Sequence, residues 1–219
     1  CPTVNEDGSV NVTGVEATNG YLCKAKDAYG DSYYYRGNVT NNYVEFAGFY
    51  WRIVRINGDG TVRVIYDGTS AHANGESSSD RQIGTSAFNS SYNDNAYVGY
   101  MYGQTGASTY AAAHANTNDS TIKAYIDNWY KINILGTANE QYLADNIFCN
   151  DRSMAGNNSG TGAGTSVTYY RWYNGPWGSE KYSKYNKKML LTCSQKNDAF
   201  TVSDTTNGNG ALTYPVGLL

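Results

Sequence analysis

The residues of this chain whose types could do chemistry are four cysteines, two histidines and three clusters of acids and amides. Cys1, Cys23, Cys149 and Cys193 include no C-x-x-C pair, and His72 and His114 are too few to complete a Cys/His zinc site at ligand spacing. An even cysteine count with no metal spacing favours disulfides in an oxidising compartment. Four cysteines allow three connectivities. The preferred one, Cys1–Cys23 with Cys149–Cys193, closes two loops of moderate length, and its rival is a lipid-modified Cys1 that leaves an odd thiol. His72 and His114 stand in polar stretches without periodic neighbours and read as solvated side chains. Asn5/Glu6/Asp7, Asn93/Asp94/Asn95 and Asn116/Asn118/Asp119 offer oxygen ligands, but none fits the D-x-[DN]-x-[DN]-G loop with its distal Glu. Turn and helix-cap roles account for them, so no metal and no cofactor is expected.

Catalytic signatures point the same way. There is no G-x-S-x-G elbow, no H-E-x-x-H, no P-loop, and no G-x-G-x-x-G following a strand. A pair of carboxylates for glycoside hydrolysis needs no local motif and stays a minor reading. The expectation is a protein that is not an enzyme. One group has the look of a binding surface: Tyr170, Trp172 and Trp177, beside Arg171 and Asn174, could stack on sugar rings or meet a partner protein. Ordinary core packing of these aromatics is the competing reading.

The scaffold that must position these residues is centred on YVEFAGFYWRIVRINGDGTVRVIY, residues 43–66. It reads as a three-stranded antiparallel meander: Tyr43–Phe46, a turn at Gly48, Tyr50–Ile56, a turn over Asn57–Gly60, and Thr61–Tyr66. The longer second turn pairs Ile56 with Thr61, Arg55 with Val62, Ile53 with Val64 and Trp51 with Tyr66. A tighter turn sets Arg52 opposite Arg63, where like charges repel. The favoured register gives a core face of Trp51, Ile53, Val62, Val64 and Tyr66, and a mixed face bearing Arg52 and Arg63. Ser32–Arg36 is a further strand. Asn116–Ser120 supplies N-cap candidates for a helix over Thr121–Lys131, whose stripe of Ile122, Tyr125, Ile126 and Trp129 is the expected cover of the core face. Thr137 and Glu140 have capping-box spacing.

The 219 residues suffice for one large domain. The expected organisation is an N-terminal extension, 1–31, pinned by a disulfide, and a single β-rich α+β domain, 32–219, with one main helix packed on an antiparallel sheet and long loops. Charged residues make up only 16% and the net charge is −3, which leaves no basic stripe for nucleic acid. No apolar run approaches membrane-spanning length. Tyrosine (22) and glycine (24), with many Asn, Ser and Thr, give the composition of extracellular β-rich and assembling proteins.

Several strings carry a resemblance: YYYRGNVTNNYVEFAGFYWRIVRINGDGTVRVIYDG, IGTSAFNSSYNDNAYVGYMYG, NTNDSTIKAYIDNWY, FCNDRS and GNGALTYPVGL. They resemble bacterial prepilin-like (type IV pilin-like) surface proteins, in patches from about Tyr33 to Leu219. The resemblance implies export, an extracellular or cell-surface location, no enzyme activity, and a head related to C-type-lectin-like folds, incomplete in this chain. It also implies that Cys149 and Cys193 belong together. The family's hydrophobic N-terminal helix and the acidic and Trp-rich stretch after LTYPVGL have no counterpart here, so the chain reads as a fragment, a processed form, or one completed by another copy. Together these readings predict a structural subunit of a pilus-like or filamentous assembly whose partners are other copies or related subunits. The alternative is a carbohydrate-binding adhesin module, with glycans as ligands. The apolar end, residues 211–219, is expected either to dock in the core, to pair with another chain, or to continue.

Overall fold

Strand-forming residues punctuated by residues that tolerate φ > 0 build most of the first half of the chain. The computed structural model describes residues 3–4, 10–11, 20–90, 99–104, 106–152 and 191–218. The chain divides into two compact units, Cys1–Thr85 with Lys187–Thr192, and Ser86–Asn186 with Cys193–Leu219. Strands occur in both and the α-helices in the second, with antiparallel pairing throughout the named strands, so the class is α+β.

In the first unit β1 (Thr3–Val4) pairs with β2 (Val10–Asn11). The main sheet has five strands: β3 (Gly20–Asp27), β4 (Gly30–Gly37), β5 (Tyr43–Phe46), β6 (Phe49–Ile56) and β7 (Val62–Gly68). β6 is central. β4 and β5 share one of its edges, and β7 runs along the other. The stretch read as an N-terminal extension thus contributes a full eight-residue strand, β3, paired with β4 from Gly20↔Gly37 to Asp27↔Gly30. The β5–β6 hairpin closes through two residues, Ala47 and Gly48, both at positive φ (55° and 79°). That is the primed turn whose twist matches the flanking strands.

The β6–β7 hairpin keeps the expected Trp51↔Tyr66 and Ile53↔Val64 pairs. A bulge between Ile53 and Arg55 then shifts the register, so that Ile56 faces Val62 and Arg55 faces Arg63. The like-charge opposition used against the short turn therefore occurs, one pair along. Two features offset it: Asn57 accepts from Arg55 Nε at 2.7 Å, and the turn is closed by Asn57 N–H to Thr61 C=O at 2.8 Å; the cost shows in Arg63, whose pKa burial and the Arg55 charge push down to about 10.

The expected core face of this sheet is only partly covered. Trp51, Ile53, Val64 and Tyr66 are half-buried, with Tyr66 edge-on to Trp51 at 5.5 Å, and Val62 is 51% exposed. The opposite face holds the more deeply buried side chain, Arg52, at 8% exposure. Burial is affordable there because hydrogen-bond partners surround the guanidinium.

The second unit contains β8 (Met101–Tyr102) paired with β9 (Asn118–Asp119), and β10 (Phe148–Cys149) paired with β11 (Ala199–Phe200). Its helices are α1 (Tyr110–Ala113) and α2 (Thr121–Asn133). Ser120 is the N-cap of α2 and accepts from Lys123 N–H at 3.1 Å. The helix expected to cover the sheet falls in this unit, and its buried positions are Lys123, Ile126, Tyr130 and, just past its end, Ile134. The stripe is rotated from the expected one: Tyr125 is 40% exposed. Lys123 can turn inward because Asp127 and Asp119 flank its ammonium at 2.6 and 3.3 Å. The capping-box spacing of Thr137 and Glu140 becomes a single 3-10 turn, Glu140–Tyr142.

The apolar end docks within this unit. Leu212 is buried and its N–H reaches Thr201 C=O at 2.9 Å, Tyr214 stacks on Tyr130 at 4.6 Å, and a Cβ at Gly217 would meet the Phe148 ring at 2.6 Å. Residues 211–218 form no strand.

Candidate functional site

The most concentrated group of charges and hydrogen bonds in the first unit lies where β6 and β7 meet the segment 69–81. Alternation along β6 puts Arg52 on the face opposite Trp51 and Ile53. Its partner across the ladder is Ile65, two residues before Asp67. Arg52 Nε donates to Asp67 Oδ2 at 3.0 Å, Nη2 to the His72 carbonyl at 2.7 Å, and Nη1 to Asn42 Oδ1 at 3.4 Å. It also donates to the Asn74 side-chain oxygen and the Tyr43 hydroxyl, and its guanidinium carbon lies 4.1 Å from the centre of the Tyr43 ring. The second Asp67 oxygen accepts from Arg81 Nε at 2.8 Å. One buried carboxylate thus joins two guanidinium groups, a geometry suited to charge-assisted pairing.

His72 sits beside this pair and is 6% exposed, not solvated as its polar sequence context suggests. Its Nδ1 is 2.9 Å from Glu76 Oε1, and its Nε2 is 2.9 Å from Asp80 Oδ2. Hydrogen bonding to Glu76 and then Asp80 raises the ring's pKa above its ordinary 6.5. The same contact lowers Glu76 and holds Asp80 down at about 2. Gly68, at φ +116°, lets the cluster close, since a Cβ there would meet Asp80 Oδ2 and His72 Nε2 at 2.9 Å each.

Ser70 Oγ lies 3.4 Å from His72 Nε2, so Ser70, His72 and Glu76 stand in the order of a serine–imidazole–carboxylate relay. Asp80 is the nearer group on Nε2, and an imidazolium held by two carboxylates has no lone pair with which to accept a serine proton. The two carboxylates also sit on opposite nitrogens, so they cannot converge with the ring on one ion. Among the described residues no group of three or more His, Cys, Asp or Glu is arranged for a metal.

A second buried cluster lies in the other unit. Arg152 is 1% exposed; its Nε donates to Asp198 Oδ1 at 2.7 Å, Nη1 to Met101 C=O at 2.9 Å, and Nη2 to Asn116 Oδ1 at 2.9 Å. His114 is fully buried, edge-on to Tyr110 at 4.0 Å, and burial together with the Arg152 charge pushes its pKa down to about 4. Asp145 accepts from three successive backbone N–H groups, Val202, Ser203 and Asp204, at 2.7, 2.6 and 2.9 Å. Burial would raise its pKa, but those donors outweigh it and hold the carboxyl below the usual range. Asn116 and Asp119, offered above as oxygen ligands, are engaged by Arg152 and Lys123.

Cys149 and Cys193 form a disulfide, with Cα atoms 5.5 Å apart. Cys23 is buried and disulfide-bonded. Cys1, Tyr170, Trp172 and Trp177 lie outside the described residues. The structure therefore brings together one expected cysteine pair and adds Arg52, Asp67, His72, Glu76, Asp80 and Arg81, which sequence reasoning passed over. A signal existed: His72, Glu76 and Asp80 recur every four residues between Asp67 and Arg81, in a segment otherwise made of small polar residues. No helix among the described residues is long and apolar enough to cross a membrane. No family model, curated protein or solved structure matches this chain.

Proposed function

We propose that this is a non-enzymatic extracellular surface protein that assembles with other copies of itself into a pilus-like or filamentous structure. The observation that carries the reading is the position of β7 as an edge strand among the described residues. Among the described residues its only strand partner is β6, and it presents Val62 and Ile65 at 51% and 40% exposure. The other end of the sheet carries lysines where β7 carries Arg63 and Asp67. β3 carries Lys24 and Lys26, and its last residue, Asp27, makes a parallel bridge to Leu191. Lysines are one way proteins blunt a strand edge, and an edge strand with exposed apolar side chains is a template for strand addition. Residues 212–217 pack within the second unit, so the β7 edge is the proposed contact.

Three further observations support the reading. The disulfide suits an oxidising compartment. The buried charges around Arg52 and Arg152 face internal partners, as in a scaffold. The resemblance to prepilin-like proteins with lectin-like heads supplies the finer family reading. The test is to place lysines on the edge. Wild-type protein is expected to show light scattering that grows with concentration and filaments by electron microscopy, while Val62→Lys/Ile65→Lys stays monomeric with an unchanged circular dichroism spectrum. A wild-type protein that is monomeric at every concentration and forms no filaments would overturn the proposal.

A further inference from the structure

The His72 cluster has a property that follows from how many N–H groups an imidazole carries. A neutral ring has one donor and one acceptor nitrogen; the protonated ring has two donors. Both His72 nitrogens face carboxylate oxygens at 2.9 Å. Only the imidazolium can donate to both. A neutral ring must set a nitrogen lone pair against either Glu76 or Asp80.

The segment that depends on this ring is well defined. Residues 69–81 leave β7 at Gly68 and are fastened back by three sets of contacts. Asp80 and Glu76 grip His72, and Asp80 also accepts from Thr69 N–H and Oγ1 at 3.4 Å. The His72 carbonyl and the Asn74 side chain hold Arg52 of β6, and Asn74 Nδ2 reaches Asn38 Oδ1 at 2.8 Å. Arg81 binds Asp67 of β7 and the Glu76 carbonyl. Ring and carbonyl belong to the same residue, so the state of the ring is coupled to the Arg52 contact.

We propose that residues 69–81 form a pH-sensitive strap over the β6–β7 face, held closed by the His72 imidazolium and loosened when the ring loses its proton. The proposal does not depend on whether the protein assembles. The groups that face the ring and its carboxylates are few. On the strap they are Glu76, Asp80 and Arg81. From the sheet come Asp67 and Tyr66 on β7, Arg52 on β6 and Tyr43 on β5. Burial and the Asp80 charge raise Tyr66, Asp67 is shared by the two guanidinium groups, and the imidazole is the side-chain type of this set whose ordinary range lies nearest neutrality.

The direction of the effect is set by the shifts. The ring's pKa in the folded chain lies above 6.5, so its contribution is complete below pH 6.5 and is lost as pH rises through the raised value. Glu76 and Asp80 are lowered from 4.5 and 3.8, so their contribution is complete above those values and is lost as pH falls through the lowered ones. The strap is closed between about pH 4.5 and 6.5 and opens on the alkaline side first.

Hydrogen exchange of the whole chain, corrected for intrinsic rates, tests this between about pH 6 and pH 9. Protection of residues 69–81 is expected to fall about tenfold for every pH unit separating the folded and unfolded pKa of the ring, with β3–β6 unchanged. The His72 ring resonance should titrate above 6.5. In His72→Gln the strap should be weakly protected at every pH, with Trp51 in β6 still reporting an intact sheet by its near-ultraviolet dichroism. A ring that titrates at or below 6.5, protection that is flat across the range, or wild-type protection in His72→Gln each overturns the proposal. Should the glutamine variant lose its sheet, the wild-type pH comparison and ring titration decide alone.

Discussion

His114 and His72 show how one residue type takes opposite roles from its surroundings. His72 is flanked by two carboxylates and is held charged. His114 is buried against Tyr110 and near Arg152, and is held neutral, its pKa down at about 4 against an ordinary 6.5. A group whose protonated form is disfavoured by folding costs stability wherever the unfolded chain binds the proton and the folded chain does not. The loss therefore begins as pH falls through 6.5 and levels off near 4. The second unit should lose on the order of 2 kcal/mol across that window, allowing for partial screening of the site. Urea denaturation at a series of pH values measures it. His114→Phe, which keeps an aromatic ring against Tyr110, should abolish most of the slope. A wild-type slope in that variant would place the acid sensitivity elsewhere.

At the scale of elements, the β5–β6 turn carries its own test. Ala47 has φ 55°, in the left-handed region that a side chain with a Cβ enters at a cost of roughly 1 kcal/mol, and that Asn tolerates better. Ala47→Asn should stabilise the first unit by about 0.5 kcal/mol, read as a shift in denaturation midpoint with unchanged slope. An unchanged or lower midpoint would refute the strain. This turn was half legible in the sequence: Gly48 marked its place, but Ala47 gave no sign of positive φ. The same division runs through the fold. The meander, its Trp51↔Tyr66 and Ile53↔Val64 pairs, and α2 with its cap region followed from alternation, helical period and capping chemistry. What those signals missed was every element whose interior is polar. Arg52, His72 and His114 read as solvated because burial of a charge or an imidazole depends on partners distant in sequence, such as Asp67 for Arg52 and Asp198 near His114's neighbour Arg152. Periodicity reports on apolar side chains and is silent about a charge that has found its counter-ion.

For the molecule as a whole, the Cys149–Cys193 bridge is the strongest single constraint the sequence supplies. It spans 44 residues, so the chain-entropy argument assigns it about 4 kcal/mol of stabilisation through the unfolded state. That constraint acts on the unit containing β10, β11 and α2, since both cysteines belong to it. The β3–β7 sheet belongs to the other unit, which the closed loop joins at Lys187–Thr192 through the Asp27–Leu191 bridge and not at β6 or β7 among the described residues. Cys149→Ser/Cys193→Ser should therefore reduce hydrogen-exchange protection of Ile126, Tyr130 and Phe200 by roughly a thousandfold, the equivalent of about 4 kcal/mol, and leave Ile53 and Val64 near their wild-type values. A uniform loss across both sets of amides would show that the two units unfold as one. A loss confined to β10 and β11, with α2 untouched, would show that the bridge acts only on the local pairing Phe148↔Phe200 and Cys149↔Ala199. The buried Arg152–Asp198 pair, which links the segment after β10 to the residue before β11, argues for the broader effect. Loosening the bridge frees β10 from the segment that leads into β11, and with it the alignment on which that ion pair depends.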